Sequence, residues 1–131
     1  AVQGEQFPAF VSRLNEDLNE IAGIRLPELA VPLATYTGWN LRHPERGNPG
    51  LFHGVTGGLA GSTIPFPATR KQRESSSDPR LSIEERYPSR EDYLQRLRES
   101  GKALVAEGYL LEEDIERIVQ RTAKIWEAFT S

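Results

Sequence analysis

All nine prolines of this 131-residue chain lie at or before Pro88, and nine of its eleven glycines lie before Ser62. Proline fixes φ and removes a backbone donor, while glycine favours sharp turns. Residues 1–88 are therefore barred from long helices and central strands, and residues 89–131 are free to be helical. The expected fold class is α+β. Short strands and long irregular loops, including a glycine-rich loop, fill residues 1–88. A C-terminal helical hairpin fills residues 89–131, and together the two stretches make one part-domain.

Local signals refine this picture. Residues 7–11 form an apolar run that Pro8 confines to an edge strand. A polar turn over residues 15–20 would join it to a second strand over 21–26. Residues 29–36 read as an apolar extended stretch broken by Pro32, and residues 43–62 as a long ordered loop. The basic cluster at 70–73 reads as a solvated loop, and residues 75–79 carry turn chemistry. Ser82 and Glu85 fit a capping box for a helix that Pro88 keeps short. Ser89 offers a second N-cap, followed by an apolar stripe of Tyr93, Leu94, Leu97, Leu104 and Val105. Gly101 either weakens that helix by about 1 kcal/mol relative to alanine or marks a close helix contact, and Gly108 is a natural stop. In the last helix, starting near Glu112, the apolar stripe is Ile115, Ile118, Val119, Thr122, Trp126 and Phe129. Glu113 and Arg117 are spaced for an i,i+4 ion pair.

Composition narrows the function classes. The net charge of −3 and the lack of a clustered basic excess argue against a nucleic-acid partner. No apolar run approaches a membrane span, so no membrane partner is expected. There is no cysteine, which excludes disulfides, thiolate metal sites and a cysteine nucleophile. No G-x-S-x-G elbow is present, and Ser62, in Gly61-Ser62-Thr63, is not one. A triad of Ser62, His53 and Asp78 has only residue types to support it. His43 and His53 lack the close-spaced companions of a zinc site, so no metal ligand is assigned. Residues 54–62 match a phosphate-cradling loop in composition only, without the lysine of a Walker loop, so no cofactor is expected. Glu84 and Glu85 are read as helix-dipole partners rather than an acid–base pair, and Trp126 and Phe129 as packing anchors.

Four segments carry a family resemblance. The run from Glu20 to Arg42, which includes Ile24-Arg25-Leu26-Pro27-Glu28 and Thr35-Tyr36-Thr37-Gly38-Trp39-Asn40, resembles a signature of the "alpha/beta hydrolase domain" family. Gly61-Ser62-Thr63-Ile64-Pro65-Phe66 is similar to its G-S-x-I-P-F segment. Residues 78–87 are similar to D-P-R-x-S-x-E-E-R-Y, and residues 110–114 to L-L-x-x-D. The resemblance implies an esterase-like serine hydrolase, secreted or periplasmic, whose fold is larger and of which this is a C-terminal segment. Its nucleophile and histidine are expected upstream, so no catalytic residue is assigned in this chain.

The chain has no methionine and starts at Ala1. It is accordingly expected to be one chain of a processed hydrolase, a C-terminal fragment, or an independent non-catalytic helical interaction module. The partner implied by the first two is the N-terminal hydrolase portion with the catalytic residues, and the ligand a small-molecule ester. Thr35, Tyr36, Thr37, Trp39 and Asn40 are the substrate-pocket candidates. They mix hydroxyl, amide and indole groups next to Gly38, a combination suited to a largely apolar pocket with a few placed polar groups. The competing reading has Trp39 plugging the core and Asn40 capping a turn. Without an elbow, the isolated chain should not react with a serine-directed fluorophosphonate. Stoichiometric labelling at Ser62 would revive the internal triad.

Overall fold

The computed structural model describes residues 12–38, 40–41, 51–52 and 61–131, the side chains of 40, 41, 51 and 52 excepted. The elements run α1 (Pro27–Ala30), β1 (Ala34–Thr37), β2 (Asn40–Leu41), β3 (Leu51–Phe52), β4 (Ser62–Pro65), α2 (Arg70–Ser76), α3 (Ile83–Arg86), α4 (Arg90–Ala106) and α5 (Glu112–Thr130). The α+β class holds. β1 pairs antiparallel with β4, setting Thr35 opposite Ile64 and Thr37 opposite Ser62. β2 pairs antiparallel with β3, nested inside the first pair in sequence. Gly61 permits this arrangement, because a Cβ there would sit 2.0 Å from the Thr37 carbonyl oxygen.

The long helices form where the caps and stripes place them. The Ser89 hydroxyl accepts from the Asp92 N–H, and Glu91 and Asp92 face the positive end of the α4 dipole. α4 ends in a Schellman motif. Gly108 takes φ 83°, its N–H donates to the Val105 carbonyl, and the Tyr109 N–H donates to Leu104. α5 then packs antiparallel on α4, with Arg98 bonded to Glu116 at one end and Arg90 to Glu127 at the other. Gly101 lets the helices approach closely, since a Cβ there would lie 3.2 Å from Ile115 Cγ1.

The core joins both parts of the chain. Leu33, Phe66, Ile83 and Tyr87 meet Tyr93, Leu97, Ile115 and Val119, and Trp126 and Phe129 pack against this cluster half-buried. Trp126 stacks on Tyr93 with ring centroids 4.9 Å apart, and Tyr93 meets Tyr87 edge-on at 4.8 Å. Each fully buried aliphatic side chain contributes roughly 1.5–3 kcal/mol.

Several local expectations need correction. No strand covers residues 21–26. Gly23 turns the backbone at φ 77°, Pro27 opens α1, and Ile21, Ile24 and Leu26 stay exposed. Only the 15–20 turn is as expected, closed by an isolated bridge between Leu14 and Glu20. The extended stretch over 29–36 starts instead inside α1 and becomes a strand only from Ala34. Residues 70–73 are helix, not loop. Thr69 caps α2 by accepting from the Gln72 N–H, and Ser77 ends it in the left-handed region. Arg117 pairs with Asp114 at 2.9 Å, one residue closer along the chain than Glu113. Phe52 and Ser62 belong to strands, while most of residues 43–62, together with the 7–11 run, lies outside the described residues.

Ile118 is half-buried and Val119 is 3% exposed, so Val119 marks the centre of the α5 stripe. Val119→Asp should cost about 3 kcal/mol or more in urea unfolding, Ile118→Asp less, and Arg117→Ala under about 0.5 kcal/mol. Equal costs for all three would mean that α5 is rotated from this position.

Candidate functional site

A cleft of about 210 Å³ lies along β1, lined by Thr35, Tyr36, Thr37 and Gly38 with Leu14, Leu18 and Ile64. Three of the five pocket candidates thus line one cleft. Trp39 lies outside the described residues, as does the side chain of Asn40. Strand alternation divides the three. Thr35 and Thr37 point to one face of the ribbon and Tyr36 to the other.

Thr35 fastens the strand. It is 1% exposed, its hydroxyl donates to the Asp17 carbonyl at 2.6 Å, and it accepts from Arg80 Nη1 at 2.9 Å. The Thr37 hydroxyl accepts from the Ser62 N–H at 3.0 Å. On the opposite face, burial raises the Tyr36 phenol above its ordinary pKa, and the charge of Glu28 adds to this while Arg121 opposes it. Glu28 itself pairs with Arg121. Tyr36 is therefore a neutral hydrogen-bonding group at any physiological pH.

The outer edge of β1 is closed by a side chain. Asn19 is 1% exposed, and its Oδ1 accepts from the Tyr36 N–H at 2.7 Å while its Nδ2 donates to the Ala34 carbonyl at 2.9 Å. The amide thus stands where a further strand would pair, satisfying backbone groups that would otherwise be open to augmentation. Asn15 holds Asn19 in place, its Oδ1 accepting from the N–H groups of Asp17 and Asn19.

Beneath the cleft lies a set of ion pairs built from residues 78–87. Arg80 donates to both oxygens of Asp78, to Thr35 Oγ1, and to the carbonyls of Ile64 and Pro65. Arg86 pairs with Asp17 through both terminal nitrogens and reaches the Leu81 carbonyl through Nε. Both guanidinium groups lie near the buried Phe66 ring, at 5.3 Å and 4.0 Å from its centroid. Ser82 and Glu85 form the expected capping box. Glu85 also binds Arg73 by two bonds, of 2.8 and 3.1 Å. Glu84 turns away to accept the Arg70 N–H at the start of α2, so the two acids serve different helices. The Tyr87 hydroxyl donates to the Pro32 carbonyl at 2.7 Å, and burial raises its pKa well above the ordinary phenol value. Asp78 is thus bonded to Arg80, and Ser62 meets Thr37 through its backbone N–H. His43 and His53 lie outside the described residues. Among the described residues no cluster of His, Cys, Asp or Glu is suited to hold a metal ion, and no helix is long and apolar enough to cross a membrane.

Sequence reasoning missed Asp17, Asn19, Arg73 and the structural role of Arg80. The available signal was the density of charge within the apolar-flanked run 78–87.

An α+β unit whose sequence signatures map onto a shared polar fastening is the class that these elements define. Residues 3–120 match the family model described as "Alpha/beta hydrolase domain", and the chain belongs to that family. No curated protein and no solved structure matches it.

Arg73, followed by Ser82, holds the Glu85 carboxyl down to about 2, and Arg80 holds Asp78 below the usual carboxylate range. Both are depressed on folding. Their stabilisation is therefore full above the unfolded carboxylate pKa of about 4 and is lost as pH falls through the folded values. The urea midpoint should fall between about pH 4 and pH 2. Glu85→Gln should be less stable at neutral pH and show a shallower fall in that window. An unchanged slope would mean that Arg73 and Glu85 are not paired in solution.

Proposed function

We propose that this chain is a non-catalytic part of an esterase-like serine hydrolase, completing the fold of a portion that carries the nucleophile and histidine. The observation that carries the reading is an exposed apolar margin beside the β1 cleft. Leu14, Leu18 and Ile64, which line that cleft, are each 44–53% exposed within a family member that lacks an elbow motif. Grouped aliphatics of this kind favour a covering surface. The β1 edge is occupied by Asn19, so the companion packs against the side of the ribbon rather than extending it as a sheet.

On this reading Thr37, Trp39 and Asn40 help to wall the cavity for a small-molecule ester, while Thr35 braces the strand and Tyr36 supports it from the opposite face. The wall supplies shape and a few hydrogen bonds, and the companion supplies the nucleophile. A second reading, an independent interaction module, is favoured by the closed core of Leu33, Phe66, Ile83, Tyr93 and Val119.

Two measurements separate these readings. Co-expression with the elbow-bearing portion should give a stable complex that labels with fluorophosphonate, whereas this chain alone does not. In that complex, Asn40→Ala and Trp39→Phe should lower kcat/KM by about tenfold with Tm kept. Loss of activity only in proportion to lost stability would make both residues structural packing. A compact monomer that neither binds the companion nor an exposed-apolar dye would favour the independent module.

A further inference from the structure

A second cleft, of about 470 Å³, opens between the 15–17 turn, α1, and the start of α3 and α4. Its apolar wall includes Leu29, Val31, Pro32 and Leu81, and its charged lining includes Arg25 and Arg96. The charges there do not cancel. Asp17 is neutralised by Arg86, and Glu85 by Arg73 from outside the cleft. Arg96 uses Nε on Asp92 at 2.8 Å, with its guanidinium carbon 5.7 Å from the Tyr87 ring centroid, which leaves its terminal nitrogens uncommitted. Arg25 is exposed and, among the described residues, has no hydrogen-bond or ion-pair partner. The cleft thus combines an apolar wall with a surplus of guanidinium donors, whose planar fork matches a carboxylate or phosphate head.

We propose that this cleft binds a small organic anion bearing an apolar chain, with the charged head on Arg25 and Arg96 and the chain against Leu29 and Pro32. The claim is independent of any catalytic companion, because all of the lining residues belong to this chain. Charge complementarity selects the occupant. A cation would meet the unpaired charge of Arg25, and an uncharged alcohol would leave that charge unmatched.

The test is titration of the 131-residue chain with octanoate, octylammonium and inorganic phosphate, followed by the Tyr87 ring and Arg96 side-chain NMR signals. Octanoate should bind saturably and shift both sets of signals, phosphate should bind more weakly, and octylammonium should leave them unmoved. Arg25→Gln, at an exposed position that leaves the fold intact, should weaken octanoate by about tenfold, and Arg25→Lys by less. Arg96→Gln should do the same where it folds. Equal response to octanoate and octylammonium, phosphate binding as tight as octanoate, or unchanged affinity in Arg25→Gln would each overturn the proposal.

Discussion

All five N–H donors of the Arg80 guanidinium are engaged: two on Asp78, one on Thr35, and one each on the carbonyls of Ile64 and Pro65. Its side chain is only 10% exposed, so these bonds are made largely away from water. Removing one partner from such a buried, fully bonded charge costs about 3–5 kcal/mol, because the remaining charge is left uncompensated. Through this one group the 78–80 turn, β1 and β4 become a single body. A two-stranded ribbon is marginal in water by itself. Here it is held at one edge by Asn19 and fastened by Arg80 through β4.

The rest follows outward from that fastening. Phe66 leaves β4 directly into the core, its ring flanked by Arg80 and Arg86. Arg86 ties α3 back to the 15–19 turn, which positions Asn19 at the edge of β1. Glu85 joins α3 to α2, and Tyr87 joins it to the segment before β1. Arg80, Ser82, Glu84, Glu85, Arg86 and Tyr87, six residues of the D-P-R-x-S-x-E-E-R-Y segment, each have a long-range or capping bond that explains them, and Asp78 neutralises Arg80. Segment 78–87 is thus a structural fastening within the family-matched residues.

What could be read from the sequence was local. Ser82 and Glu85, Ser89, Gly108 and the α5 stripe act within a few residues of themselves, so their spacing alone specified them. The extent of α2 was hidden because Arg70, Lys71 and Arg73 look like a solvated run until Thr69 caps them and Glu85 neutralises Arg73. The 21–26 run was misread because six apolar-rich residues suit a strand equally well, and Gly23 and Pro27 decide otherwise. The β1 cleft was legible as a mixture of side chains, but not as an alternation that spends Thr35 on the frame and sends Tyr36 toward Glu28. That division needs the register with β4 and the partners of Asn19 and Arg80, all of them distant in sequence.

The Arg80 fork holds the β1–β4 ribbon to the 78–80 turn. Amide hydrogen exchange of the Arg80→Lys variant tests it most directly, since lysine keeps the charge but lacks the fork. The account predicts much faster exchange at the Thr35 and Ile64 amides, and at Phe66, with the α4 and α5 amides still protected. Unchanged protection across the ribbon, or uniform loss in ribbon and helices alike, would contradict it.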